Sequence, residues 1–181
     1  MRTAILLLVA GCASSPRPAV SSAKPAAACA SAEHRQFDFW LGSWDVTIKA
    51  RAPSGWAEAR GTQRVESLLG GCVIAEHFTA EGPATPWAGK SYSMWQPKLG
   101  RWRQTWVDDQ GSYIALTGGV DNGVMTLAGE PFDQGGKRVQ MRMVFLDVSA
   151  DALRWEWQRT TDDGATWTPN MIIDYKRRRQ E

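Results

Sequence analysis

From Trp44 to Arg177 the chain alternates with a period of two. Val46 and Ile48 are separated by Asp45, Thr47 and Lys49; Trp102, Gln104 and Trp106 by Arg103 and Thr105; Leu153, Trp155 and Trp157 by Arg154 and Glu156. Such a period sends successive side chains to opposite faces of a strand, and no window after residue 45 carries a sustained stripe at helical spacing. Turn signals cut the run at regular intervals. Pro97-Lys98-Leu99-Gly100, Asp121-Asn122-Gly123 and Gln134-Gly135-Gly136 each place Gly or Asn where a hairpin needs positive φ. The expected strands occupy 44–50, 57–67, 71–79, 89–96, 101–108, 112–118, 123–130, 137–146, 152–160 and 167–177. About ten strands joined in order predict an all-β fold, a single antiparallel up-and-down barrel, because closure removes edges that so aromatic a sheet could not leave exposed. Residues 33–42 are expected to form a short helical turn that plugs one end.

A chain of 181 residues suits one domain with a real core. Lys and Arg number 21 against 19 acidic residues, a balance that gives no reason to expect nucleic acid, whereas ten Trp residues are far above ordinary usage. The one dense basic run, Lys176-Arg177-Arg178-Arg179, reads as a frayed, solvated end or as a contact for anionic headgroups.

The N-terminus carries an address. Arg2 precedes an apolar stretch, Ala4 to Ala10, too short to span a bilayer, and Val9-Ala10-Gly11-Cys12 follows at once. This resembles a bacterial lipobox, which implies lipidation of the Cys12 sulfur and cleavage before it. Residues 1–11 are then a signal peptide, 12–32 a disordered tether of Ala, Ser, Pro and Lys, and 33–181 the barrel domain. Ala13 after the cysteine implies, by enterobacterial sorting rules, an outer-membrane address facing the periplasm. The competing readings are a secretory signal cleaved after Ala30-Ser31-Ala32 and a misassigned start. Cys29 and Cys72 are in principle able to pair, but Cys72, inside Gly71-Cys72-Val73-Ile74-Ala75, reads as a small buried hydrophobe, and no functional disulfide is expected.

Parity locates the lumen. Basic Arg101 and Arg103 take the wet face of their strand, so Trp102, Gln104 and Trp106 point inward. Glu58, Arg60, Arg64 and Glu66 send Gln63 and Val65 to the inside, and Arg154, Glu156 and Gln158 do the same for Leu153, Trp155 and Trp157. The strand at 71–79 is apolar on both faces, with Glu76 on one and His77 on the other, and the strand at 89–96 offers either Tyr92 and Met94 or Ser91, Ser93 and Trp95. The candidate ligand contacts are therefore Gln63, Glu76, His77, Tyr92, Trp102, Gln104, Trp106, Trp155 and Trp157. They suit a small, mostly apolar molecule oriented by a few hydrogen bonds.

No catalytic constellation and no metal site is expected. His34 and His77 are the only histidines and stand at no metal-ligand spacing, no G-x-S-x-G elbow occurs, and the paired glycines sit in turns without a following helix.

Thr160-Thr161-Asp162-Asp163-Gly164-Ala165-Thr166-Trp167 resembles the Asp-box hairpin of sialidases, which implies structural roles for Asp162, Gly164 and Trp167 and carries no sialidase chemistry. Together with F-D-F-W-L-G-x-W-D-V at 37–46, Gly71 to His77 and Trp102 to Asp108, it makes residues 34–177 resemble a family of functionally uncharacterised bacterial proteins with a lipocalin-like, calycin-type barrel. Gly42-Ser43-Trp44 is similar to the G-x-W signature of lipocalins, in which the Trp closes the barrel floor beneath an Arg of the last strand. The resemblance implies that Gly42, Trp44 and Arg177 form that closure, an Arg–Trp stack worth on the order of 0.5 to 2 kcal/mol. A related calycin barrel holds haem through a histidine near its C-terminus. This chain has none there, and no cofactor is expected.

Three functional readings follow. The leading one is a lipid-anchored envelope protein that binds a small hydrophobic or amphipathic molecule in a Trp-lined barrel. The others are a structural or interaction lipoprotein whose barrel is filled by its own side chains, and an enzyme using Glu76 or His77 as acid or base with Tyr92 as hydroxyl donor.

Overall fold

A computed structural model describes residues 29–81 and 86–179, which leaves the expected signal peptide, Cys12 and most of the expected tether outside the described residues. Two 3₁₀ turns, Glu33–Arg35 and Asp38–Trp40, precede eleven strands: β1 Gly42–Ala52, β2 Gly55–Leu68, β3 Val73–Glu81, β4 Trp87–Gln96, β5 Arg101–Asp108, β6 Tyr113–Asp121, β7 Val124–Ala128, β8 Phe132–Gln134, β9 Lys137–Leu146, β10 Ala152–Thr160 and β11 Thr168–Arg177. All pairings are antiparallel, and β10 pairs with both β9 and β11 while β11 returns to β1, so ten strands close into a ring. The short β8, in a stretch expected to be a turn, pairs only with β9 and stands outside that ring.

The ring has a closed end and an open end. At the closed end the two 3₁₀ turns fold Phe37, Phe39 and Trp40 across the bore. There the Phe37 ring meets Trp102 edge-on at 4.7 Å, and Trp40 meets Phe145 at 5.1 Å. Trp102 donates its indole N–H to Gln36 Oε1 at 3.0 Å, and Trp44 donates to the Trp40 carbonyl at 2.9 Å. The register Trp44↔Arg177 places the last strand's guanidinium over the indole, 4.0 Å from the ring centroid. Arg177 also donates to the carbonyls of Leu41 at 2.7 Å and Ala150 at 2.6 Å. Gly42 is required twice here: its φ is +124°, and a Cβ would come within 2.4 Å of Arg177 Nη1. The C-terminal basic run is thus divided. Arg177, the last residue of β11, is locked into the floor, and Arg178, just beyond the strand, pairs with Asp45 at 2.6 Å.

Two expectations fail at this end. Cys72 is not a strand hydrophobe; a 3₁₀ turn, Leu69–Gly71, with Gly70 at φ +68° and Gly71 at +96°, delays β3 until Val73. Cys72 consequently sits in the turn and forms a disulfide with Cys29, Cα atoms 5.0 Å apart, so the last expected tether residues are tied to the barrel. The disulfide closes a segment with a sequence separation of 43, a constraint worth about 2 to 4 kcal/mol.

The hairpin joining β10 to β11 has the Asp-box geometry. Asp162 accepts from the Thr166 backbone N–H at 2.9 Å and from the Thr160 and Thr166 hydroxyls, and these bonds hold its carboxyl down at about 2. Gly164 has φ +91°, and its carbonyl accepts the Trp167 indole N–H at 3.1 Å. Arg142 lies 4.0 Å over the Trp167 ring. All of this stands on the outside of the barrel.

Candidate functional site

The bore is not filled. Above the plug lies a cavity of about 200 Å³, lined by Trp40, Glu76, Phe78, Trp87, Gln104, Trp106, Asp108, Ser112, Ile114, Leu116, Met143, Trp155, Trp157, Met171, Ile173 and Tyr175. It exceeds the ~150 Å³ at which an apolar protein cavity already admits one benzene ring. A bore filled by its own side chains, the alternative reading, does not describe this cavity.

Aromatic rings form two walls. On β3, β4 and β5, Phe78, Trp87 and Trp106 pack mutually edge-to-face with centroids 5.0, 5.8 and 6.0 Å apart. On β10, Trp155 and Trp157 lie parallel, 6.1 Å apart with planes at 4°. In a ring of ten, β4 and β10 are five strands apart in either direction, so the walls face each other across the bore. Gly89 makes the first wall possible: a Cβ there would lie 2.1 Å from the Trp106 ring, which crosses β4 at that point. Trp106 is fixed by donating its N–H to Asp108 Oδ2 at 2.9 Å.

The polar groups gather toward the floor. Glu76, on the inner face of β3, accepts a 2.5 Å bond from the Ser91 hydroxyl to Oε2. Burial pushes the Glu76 carboxyl up to about 7, outweighing the lowering effect of the Ser91 bond. Gln104 donates to Ser93 Oγ at 2.9 Å, and Tyr175 donates its hydroxyl to Gln63 Oε1 at 2.8 Å. Burial and then the neighbouring Glu76 raise Tyr175 well above the ordinary phenol range. Two buried donors, Trp40 Nε1 and Gln63 Nε2, have no acceptor within hydrogen-bond geometry among the described residues. At the rim, burial alone would raise the Asp108 carboxyl, but bonds from the Trp106 indole and the Ser112 backbone outweigh it and hold the group at about 2.

Parity placed Gln63, Trp102, Gln104, Trp106, Trp155 and Trp157 on the inner face, and the structure has them there. Trp102 belongs to the packed floor instead of the cavity wall. The ambiguity in β3 resolves to Glu76. His77 is outside, its Nε2 3.0 Å from Glu66 Oε1, which removes it as a luminal acid or base. Tyr92 is also outside, 45 % exposed, because Ser91 and Ser93 take the inward positions on β4 to bond Glu76 and Gln104. Sequence reasoning missed Trp40, Phe78, Trp87, Asp108 and Tyr175. Asp108 shares parity with Trp106, and Tyr175 with Arg177, so extending the same alternation by one step in each strand reaches both.

A closed antiparallel barrel with an aromatic bore and a few polar groups at its base defines a calycin-type barrel with an internal cavity. The chain belongs to the family of proteins of unknown function DUF1579, whose model matches residues 30–177. No curated protein matches it. Among solved structures, it is similar to the S-type phycobiliprotein lyase CPES of Guillardia theta, with a TM-score of 0.53 and 9 % identity over 80 % of this chain and 92 % of that one. At that identity the likeness concerns the fold alone.

Proposed function

We propose that this protein is a lipid-anchored binding protein of the bacterial cell envelope that holds a small, largely apolar ring-bearing molecule inside its barrel. The observation that carries this reading is the cavity of about 200 Å³, walled by rings on opposite strands, with Glu76, Gln104 and Tyr175 as its polar base. Its size limits the occupant to a molecule of one or two rings, and burial of that surface at ~25 cal/mol per Å² supplies the affinity. The likeness to a phycobiliprotein lyase supports the barrel and says nothing of the occupant. Anchoring and export rest on the Val9-Ala10-Gly11-Cys12 motif, and the Cys29–Cys72 disulfide favours an oxidising compartment.

Native mass spectrometry of the full-length protein tests the binding claim. A bound mass that leaves on denaturing extraction, or a change of Trp emission on titrating a panel of small aromatic molecules, is the expected result. Neither appearing would end the reading. Replacing the anchor residue, Cys12→Ser, is expected to release the protein from membranes, and unchanged attachment would defeat the anchor.

A further inference from the structure

The charge of the cavity is one-sided. None of its lining residues is Lys, Arg or His, while two carboxyls line it, Glu76 toward the base and Asp108 at the rim. Glu76 is 7 % exposed, joins none of the ion pairs among the described residues, and receives a hydrogen bond only from Ser91, on one oxygen. A carboxyl buried without a counter-charge is costly, and replacing it by a neutral isostere would remove that cost. A binding site has one physical reason to keep it: the missing positive charge arrives with the ligand. The walls point the same way, since indole faces attract cations and the parallel Trp155–Trp157 pair stands opposite the Phe78–Trp87–Trp106 cluster.

We infer that the cavity selects a small organic cation, a protonated amine or nitrogen heterocycle carrying one or two rings, whose nitrogen meets the free oxygen of Glu76 and whose body lies between the two aromatic walls. This deepens the binding proposal and rests on it. Anionic amphiphiles, fatty acids among them, are excluded on the same grounds, because no cationic side chain lines the cavity to receive a carboxylate and Asp108 repels one at the entrance.

The test titrates the full-length protein with three molecules of nearly equal shape, 2-phenylethylamine, 2-phenylethanol and phenylacetate, followed by calorimetry and Trp emission. The amine is expected to bind at least about tenfold more tightly than the alcohol, the phenylacetate least of all. Glu76→Gln is expected to remove that preference, so that the ratio of amine to alcohol affinity falls to about one, with its thermal unfolding measured to confirm that it folds. Asp108→Asn, at the rim, is expected to weaken the amine by about two- to threefold at low salt, an effect that fades as salt is raised. Equal or tighter binding of the alcohol or the phenylacetate, no amine binding at millimolar concentration, or an amine preference that survives Glu76→Gln would each overturn the inference. The broader binding proposal falls only if no mass copurifies and no member of the aromatic panel alters Trp emission.

Discussion

The two ends of this barrel use the same residue type for opposite purposes. At the floor, Trp40, Trp44 and Trp102 are each at most 1 % exposed: Trp102 meets Phe37 edge-on, Trp40 meets Phe145, and Trp44 meets Tyr175 beneath Arg177. Around the bore, Trp87 packs on Trp106 and Trp155 on Trp157, and all four line the cavity. An indole wrapped on all sides contributes to folding, and one with a free face can contribute to binding. On the proposed function, the contrast assigns stability to the closed end and selectivity to the open one.

The largest effect that would break this contrast is Trp44→Ala. It removes a fully buried indole and strands the Arg177 guanidinium, so a loss of about 3 to 5 kcal/mol in urea unfolding is expected; a loss below ~1 kcal/mol would mean the floor is not the keystone. Next, Cys29→Ser with Cys72→Ser is expected to cost about 2 to 4 kcal/mol, and the same loss should follow reduction of the native protein. An unchanged midpoint on reduction would remove the disulfide from the account.

Third comes a gain. The Glu76 carboxyl ionises near 4.5 in the unfolded chain and at about 7 in the fold. Between those values the folded state holds the extra proton, so stability falls as pH rises through that window and stays low above it. Glu76→Gln is expected to raise stability at pH 8 by on the order of 2 to 3 kcal/mol and to change it little at pH 4. A variant no more stable than the native protein at pH 8 would show that the carboxyl is not buried at a cost. The smallest expected stability effect is Trp157→Ala, about 1 kcal/mol, because its ring already faces open space; its mark should be on ligand-induced Trp emission. A loss matching that of Trp44→Ala would erase the distinction between the ends.

Much of the architecture is legible in the sequence because one face of most strands is wet. In β5 and β10 the charged residues Arg101, Arg103, Arg154 and Glu156 fix the parity, and the inner Trp residues follow. The signal fails where that premise fails. β3 begins with four consecutive buried residues, Val73 to Glu76, so alternation is silent and Glu76 cannot be separated from His77 until the register Val65↔Glu76↔Ser91 is known. On β4 the rule of polar residues outward inverts, because the lumen is locally polar and takes Ser91 and Ser93. The disulfide was hidden by a shift of two residues, since Gly70 and Gly71 make a turn out of what alternation reads as the start of a strand. The unpaired charge of the cavity is a property of three dimensions, visible only when sixteen residues from plug and wall are seen to enclose one space without a base among them.

The linkage of Cys29 to Cys72 also sets a direction. It brings the start of the described chain to the same pole as the plug and the Trp44–Arg177 stack, with the entrance at the opposite pole. On the proposed anchoring, the barrel would be joined to its tether at the pole away from the entrance. A ligand of the proposed kind would then reach the cavity without passing the point where the tether joins.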